Sequence, residues 1–92
     1  MDRQVSKYEV PSYDIVEEKI KEIDGSIIVF RIFYIFMQIA YKFQLIKNDR
    51  LCTIEIPRKM LEGLKARNVM LEEELTRLLD STIQHADCWN KV

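Results

Sequence analysis

The stretch AYKFQLIKNDRLCTIEIP, residues 40–57, decides how the whole chain is read. A two-residue turn at Asn48 and Asp49 sets Lys47 opposite Arg50. The pairing then runs Ile46 with Leu51, Leu45 with Cys52, Gln44 with Thr53, Phe43 with Ile54, Lys42 with Glu55 and Tyr41 with Ile56. One face of this hairpin carries Leu45, Cys52, Phe43, Ile54, Tyr41 and Ile56, and the other carries Gln44, Thr53 and the opposite charges Lys42 and Glu55. Strand side chains alternate between faces, so a slip of one residue would send the apolar set to the wrong side. Agreement over successive rungs therefore specifies the register. Two rungs fit less well: Ile46 and Leu51 fall on the polar face, and Lys47 opposes Arg50 at the solvated turn.

Toward the N-terminus, residues 26–47 contain no Gly, Pro, Asn or Asp, and the run IIVFRIFYIF at 27–36 is almost wholly β-branched and aromatic. Such a run predicts a strand near 26–36. Simple alternation puts Ile27, Val29, Phe33 and Ile35 on one side and Ile28, Phe30, Ile32 and Phe36 on the other, so the strand has to be covered twice. Two other readings compete. A membrane-spanning helix needs about 20 mostly apolar residues, and Arg31 and Lys42 within the run argue against one. A soluble amphipathic helix over 27–46 would gather Arg31, Gln38 and Lys42 on one side. Farther upstream, Ile15, Val16, Ile20 and Ile23 recur at helical spacing and predict a helix over 14–24. Asp14 is its expected cap, answered by Glu17, and Asp24 with Gly25 its expected stop. Residues 1–11, ending at Pro11, read as an N-terminal arm.

Toward the C-terminus, Pro57 ends the second hairpin strand and suits the first position of a helix, where its missing N–H costs nothing. Met60, Leu61 and Leu64 make a short apolar stripe that breaks near Asn68. Leu71, Leu75, Leu78, Leu79, Thr82 and Ile83 then share one side of an amphipathic helix predicted over 71–86, and 87–92 is read as a frayed tail.

Composition bounds what this architecture can do. Ninety-two residues, 48% of them hydrophobic, suffice for one modest core and read as one domain spanning 1–92. A chain this short hides only about 60% of its unfolded surface, which makes self-association a common remedy. Fourteen Lys plus Arg against fifteen Asp plus Glu leave a formal charge of −1, which supplies no bulk attraction to nucleic acid or anionic lipid. The opening residues MDRQVSKYEVPSYD hold no continuous apolar run, so no secretory signal is expected. Cys52 and Cys88 could form at most one intramolecular bridge and do not resemble a disulfide framework, and a reducing cytoplasm is the expected compartment. Cys52 falls on the apolar face of the hairpin and is expected to be buried, with Cys88 accessible to thiol reagents beyond the last helix.

Groupings with the residue types for chemistry are sparse. His85, Asp87 and Cys88, with Cys52, have a metal-like spacing, but structural zinc needs four ligands and its motifs come as paired clusters. A buried Cys52 makes a poor nucleophile for His85 to activate. Gly25 and Gly63 are too few and too far apart for a phosphate cradle. Glu72, Glu73 and Glu74 read as the acidic start of a helix, and Trp89 as a packing or partner contact. No catalytic site, metal or cofactor is implied.

Residues 52–85, CTIEIPRKMLEGLKARNVMLEEELTRLLDSTIQH, resemble a ribbon-helix-helix module: a short strand ending in Pro, a short helix, a tight connection at Asn68 and Val69, and a longer amphipathic helix. The resemblance implies a strand-paired dimer that reads the DNA major groove, here with Thr53 and Glu55, as a regulator or antitoxin would. A glutamate facing the phosphate field is unfavourable, and three glutamates open the second helix where the family presents a Ser or Thr to phosphate.

The expected fold is α+β. It comprises one N-terminal helix, an antiparallel sheet of about three strands (26–36, 40–47 and 51–56) and two C-terminal helices on one face of that sheet. The surplus apolar face of the first strand calls for a second chain, giving a homodimer through Ile27, Val29, Phe30, Phe33 and Ile35. The expected function is a small non-catalytic binding or regulatory module. A further protein partner is left open; nucleic acid and membrane are not expected as partners.

Overall fold

The hairpin forms with the register read from the sequence: β3 (Ala40–Lys47) and β4 (Arg50–Pro57) pair from Lys47 with Arg50 through Tyr41 with Ile56, and one rung further to Ala40 with Pro57. Asn48 and Asp49 both take positive φ, 51° and 61°, as a two-residue turn between right-twisted strands requires. In this computed structural model, which describes residues 2–91, five antiparallel strands follow one another in sheet order β1-β2-β3-β4-β5. The fold is α+β, and the sheet has two strands more than expected.

Both additions lie in segments read as an arm and a tail. β1 (Asp2–Val5) pairs with β2 (Ile28–Ile35) from Asp2 with Ile35 to Val5 with Ile32. β5 (Asn90–Lys91) adds two residues beside Arg50 and Leu51 of β4. Neither is long enough to show alternation. They are strands because each pairs with part of an open backbone edge, β1 with Ile32–Ile35 of β2 and β5 with Arg50 and Leu51 of β4.

β2 is a strand, so the helical and membrane readings of 27–46 fall away, and no described helix is long and apolar enough to cross a membrane. Its faces differ from simple alternation. Val29 opposes Leu45 and Arg31 opposes Gln44, which are neighbours on β3, so Phe30 is an extra residue in a β-bulge. Every side chain after Phe30 is therefore on the face opposite to the one expected. Ile32 is buried, and Val29 and Tyr34 pack against the same core, while Ile28, Arg31, Phe33 and Ile35 line the other side with Ile46, Gln44, Lys42 and Ala40.

One side of the sheet is covered by α1 (Tyr13–Ile23), α2 (Arg58–Leu64) and α3 (Val69–Ile83). Val16 and Ile20 of α1, Leu61 and Leu64 of α2, and Leu75 and Leu79 of α3 are fully buried against Phe43, Leu45, Cys52 and Ile56. α1 begins one residue early, and Asp14 with Glu17 does not form the expected capping box. Glu17 instead accepts a hydrogen bond from Tyr13 Oη, and the Ser12 hydroxyl donates to the Leu61 carbonyl, tying α1 to α2. Gly25 is not left-handed. Asp24 terminates α1 instead: its amide donates to the Ile20 carbonyl, and its carboxylate accepts from the Ser26 amide and hydroxyl and pairs with Lys47. α3 starts two residues before the expected position because the Asn68 side chain accepts from the Leu71 amide, 3.2 Å away.

The cysteines correct a second expectation. Cys52 is fully buried, as expected, but Cys88 is its disulfide partner, and neither thiol is free. The spacing hid this because 36 positions separate them and the pairing depends on where α3 returns the chain. Closing a loop of that length stabilises by about 4 kcal/mol in the chain-entropy account.

Candidate interaction surface

Opposite the helices the sheet has a bare face, and strand register sorts it into four rows. Asp2, Ile35, Ala40 and Pro57 form the first row; Gln4, Phe33, Lys42 and Glu55 the second. Arg31, Gln44 and Thr53 make the third, and Ile28, Ile46, Leu51 and Asn90 the fourth. Apolar side chains thus occur in three rows, with charge of both signs between them.

The fourth row is the most apolar. Ile28 is 60% exposed, Ile46 and Leu51 are half-buried, and Phe30 at the bulge is 50% exposed with the Arg31 guanidinium 4.5 Å from its ring centre. In the second row Lys42 stands 5.7 Å from the centre of the Phe33 ring, with its Nζ 2.9 Å from Asp2 Oδ2. Glu55 is its cross-strand neighbour as read from sequence, yet the ion pair goes to Asp2 of β1, a strand the sequence did not reveal. Such an exposed pair adds little stability, but it holds Lys42 over Phe33. Gln44 Oε1 in the third row is buried without a hydrogen-bond partner among the described residues, an uncommon state for a polar atom out of water.

A second apolar cluster lies at the β2–β3 connection, where Phe36, Met37 and Ile39 are all exposed. Ile39 has a φ of 50°, which a β-branched residue adopts only under strain. Its carbonyl accepts the Arg58 amide at 3.0 Å, satisfying a donor at the start of α2. The strained residue thereby joins the hairpin tip to the helical layer.

The five residues expected at a dimer interface divide between the two sides. Ile27 is fully buried in the helix-side core and Val29 packs against it, which removes both from the bare face. Phe30, Phe33 and Ile35 do reach that face, Ile35 being largely covered within it. Ile28, Ile46 and Leu51 join them; the last two were visible in the sequence as the apolar rungs that fitted the polar side badly. The bulge, which local sequence does not mark, sets Ile28 on one face with Arg31, Phe33 and Ile35 rather than with Ile32 and Phe36.

No family model, curated protein or solved structure matches this chain. The strand, short helix and longer helix implied by the ribbon-helix-helix resemblance are present as β4, α2 and α3. β4, however, pairs within the chain along its whole length with β3. Thr53 and Glu55 are exposed on the bare face. No group of three or more His, Cys, Asp or Glu that would hold a metal occurs among the described residues. His85 Nδ1 accepts from the Asp87 amide in the turn, while Cys52 and Cys88 are committed to each other.

Proposed function

We propose that this protein is a small non-catalytic binding or regulatory module that works as a homodimer, each copy covering the other's bare sheet face. The observation that carries the reading is the apolar set Ile28, Phe30, Phe33, Ile46 and Leu51 on a face no helix covers. Burying one large apolar side chain fully is worth about 1.5–3 kcal/mol, so several left wet forgo a large part of the stability available to a small domain. A second copy suits this face because it is self-complementary. It carries charges of both signs, Arg31 and Lys42 with Asp2 and Glu55, between its apolar rows, so like surfaces can meet without a net excess of either sign. The molecule measures 35 × 30 × 20 Å, and a broad side of that size accommodates the roughly 800 Å² per partner of a standard interface. The proposed compartment remains the cytoplasm, where protein disulfides are usually transient or redox-sensing rather than permanent.

Sedimentation at micromolar concentration tests the reading. Wild type is expected as a dimer and Ile28→Asp as a folded monomer, because Ile28 is exposed within the subunit. Val29→Asp should unfold the subunit, because Val29 faces the helices. A monomeric wild type, or an Ile28→Asp variant that dimerises as well as wild type, would overturn the proposed interface.

A further inference from the structure

The C-terminal segment differs from the rest of the molecule in how it is held. From Gln84 to Lys91 the residues are exposed except Cys88 and Trp89, which are half-buried, and β5 contributes only two residue pairs. Among the described residues a hydrogen bond from Trp89 Nε1 to the Ile83 carbonyl at 2.9 Å also ties it back, and Cys88 and Trp89 pack partly buried against the core. Against these few contacts stands one covalent link, Cys88 to Cys52. Cys52 belongs to a core that Phe43, Leu45, Ile54, Ile56, Leu75 and Leu79 also fill, whereas the 3₁₀ turn Ala86–Cys88 contains no buried residue. A segment with so little apolar burial opens locally at small cost once its tether is cut.

We propose that the Cys52–Cys88 bond is a reversible redox latch: two-electron reduction releases residues 84–91 from β4 while β1 to β4 and the three helices stay folded. This inference stands apart from the dimer reading. Released, the strap leaves the outer backbone edge of β4 at Arg50 and Leu51 without its β5 partner, which makes the state of the bond visible to anything that adds a strand there. The burial of the two cysteines also sets the direction of attack. Cys52 is fully buried and Cys88 half-buried, so the thiolate of a dithiol reductant reaches Cys88 Sγ. It bonds to that sulfur as the Cys52–Cys88 bond breaks, and the electron pair leaves on Cys52. The reductant's second thiol then attacks its own sulfur in the mixed disulfide and frees Cys88. The dithiol has become a disulfide, and its two electrons and two protons now reside on the two cysteines.

The chain has a single tryptophan, Trp89, which lies in the strap and reports on it directly. Native protein is titrated with dithiothreitol at neutral pH and followed by tryptophan emission and amide hydrogen exchange. The expected result is a red shift of Trp89 and loss of protection at Cys88 and Trp89, whose amides now bond to His85 and Ala86, with protection retained in β2, β3 and α3. Reoxidation should restore both signals, and Cys88→Ser should show the reduced pattern without reductant. Brief treatment with a monothiol, quenched by acid, should leave its adduct on Cys88. Three results would overturn the proposal: unchanged Trp89 emission after both thiols are free, loss of protection throughout the sheet, and an adduct on Cys52. A Cys88→Ser protein that does not fold would also overturn it, since the bond would then be holding the whole domain.

Discussion

Deleting Phe30 should leave the fold intact, although it removes a large aromatic residue from an interior strand of the sheet. Val29 and Arg31 already oppose adjacent residues of β3, Leu45 and Gln44, so removing the bulged residue joins them into a regular ladder and keeps every other side chain on its present face. The loss is what Phe30 itself contributes. It is 50% exposed, so about half of the 1.5–3 kcal/mol for a fully buried side chain, roughly 1 kcal/mol, is at stake. The Arg31 stacking on its ring adds about 0.5 kcal/mol. Deleting Phe33 should behave differently. Absorbing that gap by ironing out the bulge would turn Arg31 toward Phe43 and Ile32 to the bare face, and keeping the bulge would carry Tyr34 away from Tyr41 and Arg58. Either route costs about 3–5 kcal/mol, a large share of the roughly 5–15 kcal/mol that holds a domain together. Urea unfolding, followed by far-ultraviolet circular dichroism and Trp89 emission, measures both. Equal destabilisation by the two deletions would refute the bulge and with it the assignment of faces along β2.

Ile39→Gly should be about 1 kcal/mol more stable than Ile39→Ala, because both lose the half-buried side chain and only glycine takes a φ of 50° without strain; a lower thermal midpoint for the glycine variant than for the alanine one would count against strain there. Asp24 is held well below the usual carboxylate range by the Lys47 ammonium and then by the Ser26 hydroxyl and amide. A folded pKa below the unfolded one stabilises above the unfolded value, about pH 4, and that contribution is lost as pH falls further. The stability gap between wild type and Asp24→Asn should therefore hold steady from neutral pH to about pH 5 and close on further acidification. Urea midpoints across that range check it, and a gap that widened in acid would reverse the sign of the argument.

Residues 40–57 needed no tertiary information. In that hairpin the turn residues, apolar alternation and opposed charges all favour one register, and β-pairing between near neighbours is a local problem. The helices were legible for a similar reason, since the stripes Val16 with Ile20 and Leu75 with Leu79 repeat over enough turns to show their period. The cap at Asn68 and the shift of α1 depend on single side-chain contacts, and the sequence alone placed those boundaries one or two residues away.

The features on which the functional reading rests are of another kind. The bulge at Phe30 leaves no mark in a run where neighbours on both faces are apolar, because Val29, Ile32 and Tyr34 satisfy the core as well as the alternation they displace. β1 and β5 are short segments recruited by open edges of strands far away in sequence, and with β1 comes the carboxylate that draws Lys42 away from Glu55. The Cys52–Cys88 bond needs α3 to run back along the sheet before its sulfurs can meet. Local sequence determined the elements, since helical and strand periods are written in adjacent residues. Only the tertiary structure decided which face is bare and how the C-terminal strap is held, because both depend on pairings between residues tens of positions apart.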